Sequence, residues 1–265
     1  MTALAAAEGR FLLHHPAFLA GAALSVVVGA LSTGVDFSVL ALSGFVLVPL
    51  GVGTALAAGL AAQRSRRHGT EELLASLPVP ARARTAAHLG SVAWAVLAGV
   101  VVLAAAAGAV AARGGPTVRL ASGVVDRPLA GWELAQGPLA VACVGLVAVA
   151  VARSTRSVVG PALVAALPVA LQAVLAEGTL RWFAPWVNHA TTRAGGYWPR
   201  TEIAPRTDLV GFAIGPLRWH LLFLTGVGAM AMLAALLRDG PTRPLLACVP
   251  AALATGATGA VLQVA

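Results

Sequence analysis

The sequence predicts an all-α, polytopic transmembrane helical bundle with six or seven spans, and three observations carry that reading. The chain has 265 residues, 58% of them hydrophobic and only 11% charged, with a mean hydropathy of +0.85. A soluble domain of this length needs far more charge to cover its surface. Several apolar runs reach the roughly 20 residues that a helix needs to cross about 30 Å of hydrocarbon. The charges gather in the segments between those runs. Backbone in lipid must satisfy its own hydrogen bonds, which selects helices. The period-two alternation of a membrane β-barrel is absent.

In chain order the spans are expected at 17–35, 38–62, 86–112, 137–152, 157–176, 219–237 and 244–264. The fourth is short and gains length if it begins near Trp132. The seventh follows the turn Arg238-Asp239-Gly240-Pro241 and pairs as a hairpin with the sixth. Residues 1–15 fit either a short interfacial helix or the frayed start of the first span. With only Arg10 before a long run and more spans behind it, the N-terminal segment does not read as a cleavable signal. The whole of 1–265 is one transmembrane domain.

All 18 basic residues are arginine; the chain has no lysine. This excludes a P-loop, whose lysine reaches the nucleotide phosphates, and a Schiff-base site. The arginines lie in loops between apolar runs, which argues for topology signals and against nucleic acid. An N-inside arrangement puts Arg10, Arg64, Arg66, Arg67, Arg82, Arg84, Arg153, Arg156, Arg238 and Arg243 on the cytoplasmic side. Arg113, Arg119, Arg127, Arg181, Arg193, Arg200, Arg206 and Arg218 then lie outside, five of them in the long 177–218 segment, where the rule has little force. The expected location is therefore a cytoplasmic membrane, multi-pass, with the N-terminus inside.

The segment 63–85, between the second and third spans, is the most informative. Thr70 is placed to cap a helix, Glu71 and Glu72 oppose the positive end of its dipole, and Leu73, Leu74 and Leu77 lie along one side. Pro78 and Pro80 end it. A two-turn helix of this kind is too short to span. Its leucines are buried either in the base of the bundle, as an ordinary capped loop helix, or in a partner protein.

The run Glu71-Glu72-Leu73-Leu74-Ala75-Ser76-Leu77-Pro78-Val79, preceded by Arg67-His68-Gly69-Thr70, resembles the cytoplasmic loop of the ABC-2 family of transporter permeases. Its place between the second and third spans is similar, as are the opening Glu8–Pro16 and the long outer segment. The seventh apolar run departs from the six spans common in that family. The resemblance implies a permease subunit of a bacterial ABC exporter with no ATPase activity of its own. Its partners would be a separate ABC ATPase subunit, a second copy or sister permease, and the lipid bilayer. Arg66, Arg67, Gly69, Thr70, Glu71, Glu72, Leu73, Leu74, Leu77 and Pro78 would form the coupling helix and its approach.

The segment 177–218 carries Trp182, Trp186, Tyr197 and Trp198. It reads either as a re-entrant or surface helix closing the outer end of a pathway, or as an interfacial loop with aromatic anchors. Six histidines and two cysteines, Cys143 and Cys248, show no metal-ligand spacing, and no catalytic pair is visible. Neither a cofactor nor a metal is expected. The rival readings are a non-transporting membrane scaffold or accessory subunit, which has the same spans, and an intramembrane enzyme, which lacks catalytic residues.

Overall fold

The computed structural model describes residues 2–32, 38–70, 76, 78–120, 123–126, 129, 131–155, 157, 159–175, 183, 185–186, 189–191, 212–214 and 217–263. The chain opens with helix α1 (Thr2–Leu13), which meets α2 (Pro16–Ser32) at an angle of 65°. Pro16 stands at the first position of α2, where its missing N–H costs nothing. Residues 1–15 therefore include a separate helix and not a frayed start. It lies along the fifth helix below, with Gly9 beneath the indole of Trp94.

The expected second span, 38–62, is not one continuous helix. A short α3 (Ser38–Ser43) ends at Gly44; a single 3-10 turn (Phe45–Leu47) follows, and α4 (Val48–Arg67) then runs on. Pro49 sits in the first turn of α4, where a proline is tolerated. The third expected span begins five residues early, as α5 (Ala81–Ala111), with Pro80 as its extended N-cap. At 31 residues it is about 46 Å long, so it outreaches the hydrocarbon layer. The fourth, α6 (Gly131–Ser154), does begin beside Trp132 and carries Pro138 near its start. Then come α7 (Val159–Leu175), α8 (Leu217–Arg238) and α9 (Arg243–Leu262). Two antiparallel strand pairs, β1 (Thr117–Leu120) with β2 (Gly123–Asp126) and β3 (His189–Thr191) with β4 (Phe212–Ile214), sit in the connections.

Among the described residues, five helices are long and apolar enough to cross a membrane: Phe45–Arg67, Ala81–Ala111, Gly131–Ser154, Arg218–Arg238 and Arg243–Leu262. The bent α1–α2 pair makes a sixth if it counts as one crossing. At 17 residues, α7 is shorter than these. The architecture is that of a multi-pass membrane protein.

Helices α4 and α6 form the centre and touch each other along their length. Their buried faces carry small or branched side chains: Ala55, Ala58 and Ala62 on α4, and Ala140, Val141, Val144 and Ala148 on α6. In lipid, close packing replaces the hydrophobic drive to associate, and small residues let backbones approach. Gly21 of α2 faces Gly53 of α4, and Gly226 of α8 faces Gly256 of α9; a side chain at Gly21, Gly53 or Gly226 would strike opposing backbone. The outward faces are apolar: Leu24 and Leu31 on α2, Val100 and Val101 on α5, Leu163 and Val174 on α7, Leu253 and Val261 on α9. Exposed apolar surface this continuous suits a bundle whose solvent is hydrocarbon.

Candidate functional site

The arginine-bearing segments expected on one side meet at one end of the bundle. Helix α4 finishes on Arg64, Arg66 and Arg67, where cations oppose the negative end of the helix dipole. Its last turn closes as a Schellman motif. The Thr70 N–H donates to Ser65 O at 2.9 Å, and the Gly69 N–H to Arg66 O at 3.3 Å. Gly69 has φ +65°, a left-handed conformation that glycine adopts without Cβ strain. The Thr70 hydroxyl donates back to Ser65 O at 3.3 Å, so it serves the end of α4. The sequence reading has that hydroxyl at the start of the following helix.

The C-terminal carbonyls of α6 are capped from two other helices. Arg66 Nη1 donates to Arg153 O at 2.9 Å, and Arg238 Nε donates to the same oxygen at 2.5 Å. Gln63 Nε2 donates to Ser157 O at 2.9 Å. The Arg153 side chain turns inward and donates through Nη2 to Asp239 Oδ1 at 2.8 Å; both side chains are less than 10% exposed. Thr85 Oγ1 donates to the other oxygen of Asp239, and Arg82 Nη2 donates to Gly240 O. This network ties the ends of α4, α5, α6 and α8.

Beside it, Arg64 pairs with Glu8 of α1 at 3.1 Å and lies 4.4 Å over the ring of Phe11. Glu8 Oε2 is 3.4 Å from His88 Nδ1 without hydrogen-bond geometry. Burial raises the Glu8 carboxyl above its ordinary range by more than Arg64 lowers it.

Arg67, His68 and Gly69 are exposed where α4 ends, and Pro78, Val79 and Pro80 are exposed where α5 begins. Arg66 is held against α6, as described above. Glu71, Glu72, Leu73, Leu74 and Leu77 lie outside the described residues, as do Trp182, Tyr197 and Trp198.

At the opposite end, Trp186 is fully buried inside the bundle. Its N–H donates to Gln172 Oε1 of α7 at 2.9 Å, and its carbonyl accepts from Gln136 Nε2 of α6 at 2.8 Å. Its ring covers Gly51 of α4, and its carbonyl lies against Gly44; a side chain at either glycine would collide with it. Of the two readings of this segment, an interfacial loop with exposed aromatic anchors does not fit the buried Trp186. Two side-chain amides satisfy its backbone groups and two glycines leave room, so it enters the core. Ser38 Oγ ties the same end to the β1–β2 ribbon, accepting from Thr117 N at 2.7 Å.

Sequence reasoning missed Glu8, His88, Arg153, Asp239, Gln136 and Gln172. Glu8, Arg153 and Asp239 carried one signal, being charged residues at the edges of apolar runs. For Gln136 and Gln172, a single amide near a helix end gives no indication of its partner. Comparison with protein-family models, with curated proteins and with solved structures gives no match to this chain.

Proposed function

We propose that the chain is the membrane-spanning permease subunit of an ATP-driven ABC exporter of the ABC-2 kind in a bacterial cytoplasmic membrane. It works with a separate ATPase subunit and with a second copy or sister permease. One observation carries the reading. The chain leaves α4 through an exposed, glycine-terminated turn and re-enters α5 through Pro78–Pro80, all at the arginine-rich end of the bundle. The residues that link these two ends in sequence belong to the run Glu71–Val79 that carries the resemblance. An arginine-rich end is the cytoplasmic end by the positive-inside rule, which is the side where ATP is available.

The network at the ends of these helices gives the reading a mechanism. Arg66, Arg82, Arg153, Arg238 and Asp239 link four helix ends. A push on the run is therefore shared among α4, α5, α6 and α8 and does not bend one loop alone. At the other end Trp186 occludes the space between α4, α6 and α7. Tilting α4 and α6 apart would free it and open that end.

The test is co-expression with a P-loop ATPase, which the reading expects a neighbouring reading frame to encode, followed by purification through a tag on this chain. The ATPase should co-purify with the wild type, and Leu74→Arg should release it while the permease still inserts. Undiminished recovery of the ATPase with Leu74→Arg would refute the coupling assignment. A permease that never retains an ATPase would favour the scaffold.

A further inference from the structure

Trp186 is seated between α4, α6 and α7, and each of these walls is interrupted near the point where it meets the residue. On the α4 side, the 3-10 turn Phe45–Leu47 lies between Gly44, against the Trp186 carbonyl, and Gly51, against the ring. On α6, Gln136 donates to that carbonyl at 2.8 Å, and Pro138 follows two residues on. On α7, Gln172 accepts the Trp186 N–H at 2.9 Å, and Pro168 precedes it by one turn.

Each interruption is a place where a helix yields. A proline supplies no N–H to the carbonyl four residues back, so one rung is missing at Leu134 and another at Val164. Sharp bends in helices occur at such prolines. A short 3-10 stretch has poorer hydrogen-bond geometry than an α-helix, and within a span it marks a hinge. Two of the three points are also in contact. A side-chain carbon on Gly137 would come within 3.3 Å of the Gly44 Cα and 3.0 Å of Leu47 Cδ1, so α6 passes this turn with no room to spare. Beyond the first turn of a helix, the described residues have only one other proline, Pro250 of α9, while α5 and α8 run 31 and 22 residues without one. The breaks are gathered around Trp186.

We propose that these three points are the hinges of an outer gate with Trp186 as its wedge. The end segments of α6 and α7 and the α3 side of the 3-10 turn swing outward together, release the indole and let water into the bundle. A tilt of α4 against α6 is then taken up at the hinges and does not pull the arginine-bearing ends apart. Gln136 and Gln172 are positioning residues that hold the closed state through the Trp186 backbone, one hydrogen bond each. The inference deepens the permease reading and rests on it, since a gate at this end needs a pathway behind it.

The test is thiol accessibility of the full chain in lipid nanodiscs, with Cys143→Ala and Cys248→Ala as background. Ala140→Cys is the reporter, at a buried position one turn inward from Gln136. Ala148→Cys, also buried and two turns further in, is the control. The probe is a charged, water-soluble methanethiosulfonate, and intact mass follows the labelling. Gln136→Leu and Gln172→Leu should each raise the labelling rate of Ala140→Cys about fivefold, the effect of one hydrogen bond lost from the closed state. Restoring the missing rungs with Pro138→Ala and Pro168→Ala together should lower it by a similar factor. Ala148→Cys should stay slow throughout. Unchanged or faster labelling after the two proline replacements would overturn the hinges. Equal acceleration at Ala148→Cys would mean that the whole bundle loosens, and the gate would fall. Unfolding midpoints identify a glutamine variant that is merely misfolded; the proline pair, which completes its helices, then decides. No ATPase enters the assay, so labelling judges the gate and co-purification separately judges the permease.

Discussion

Removing Asp239 puts the polar end of the bundle to a quantitative test. The Arg153–Asp239 pair is short, at 2.8 Å, and both side chains are almost completely buried. Asp239→Ala takes away the only carboxylate bonded to Arg153 among the described residues and also the acceptor of the Thr85 hydroxyl. The guanidinium left behind shares its surroundings with Arg66 and Arg238, which both donate to the Arg153 carbonyl. Breaking a buried pair from one side costs about 3–5 kcal/mol, because the remaining charge is uncompensated. For a chain of this size each kcal/mol moves the melting midpoint by roughly 2–4 °C, so the fall should be roughly 6–20 °C. Thermal unfolding in one detergent, read by circular dichroism, measures it. Replacing both partners by apolar residues, Arg153→Met with Asp239→Leu, should recover most of the loss, since a buried pair exchanges almost evenly for hydrophobic packing. Arg67→Ala, at an exposed position, should stay within about 0.5 kcal/mol of wild type. A loss below about 1 kcal/mol for Asp239→Ala would mean the pair behaves as a surface ion pair, and the buried-network argument would fail.

Three further outcomes follow from the same structure. Trp186→Ala should cost about 3–5 kcal/mol of stability through the cavity it leaves over Gly51, and Gly51→Val should produce a comparable loss by expelling the ring; unfolding midpoints of the two variants check this. Gly69→Ala should cost about 1 kcal/mol from the left-handed backbone, because none of the described residues lies within 4 Å of the added Cβ; the midpoint with and without the change gives the value. The folded state holds the proton of Glu8 to higher pH than the ordinary 4.5, so stability from this group is complete below that value and is lost as pH rises through the folded pKa. Glu8→Gln should therefore flatten the fall in stability on the alkaline side of pH 4.5, which a series of melts from acid to neutral pH would detect.

The fold class was legible in the sequence because hydrocarbon imposes a one-dimensional rule: an apolar run long enough to cross must be a helix, whatever it packs against. The start of α6 near Trp132 and the hairpin of α8 with α9 follow from that rule and from the turn at Asp239-Gly240-Pro241. The grouping of Arg64, Arg66, Arg82, Arg153 and Arg238 at one end was legible too, since alternate crossings return the chain to the same side. The break at Gly44 was not. Apolar runs flank it on both sides, and the group that packs against Gly44 there, the Trp186 carbonyl, comes from a segment far along the chain. The two strand ribbons were likewise invisible to hydropathy, which registers composition and not how a connection pairs with itself.

Sequence alone thus determined that the chain forms long apolar helices and which ends carry the arginines, because both depend on transfer between water and lipid, residue by residue. Tertiary structure alone decided that Asp239 neutralises Arg153, that Glu8 stands between Arg64 and His88, and that Trp186 is buried and not anchored at the surface. Each of these depends on which side chain lies opposite at a few ångströms, across helices distant in the chain. Short-range electrostatics and close packing set that choice, and neither leaves a periodic mark in the sequence.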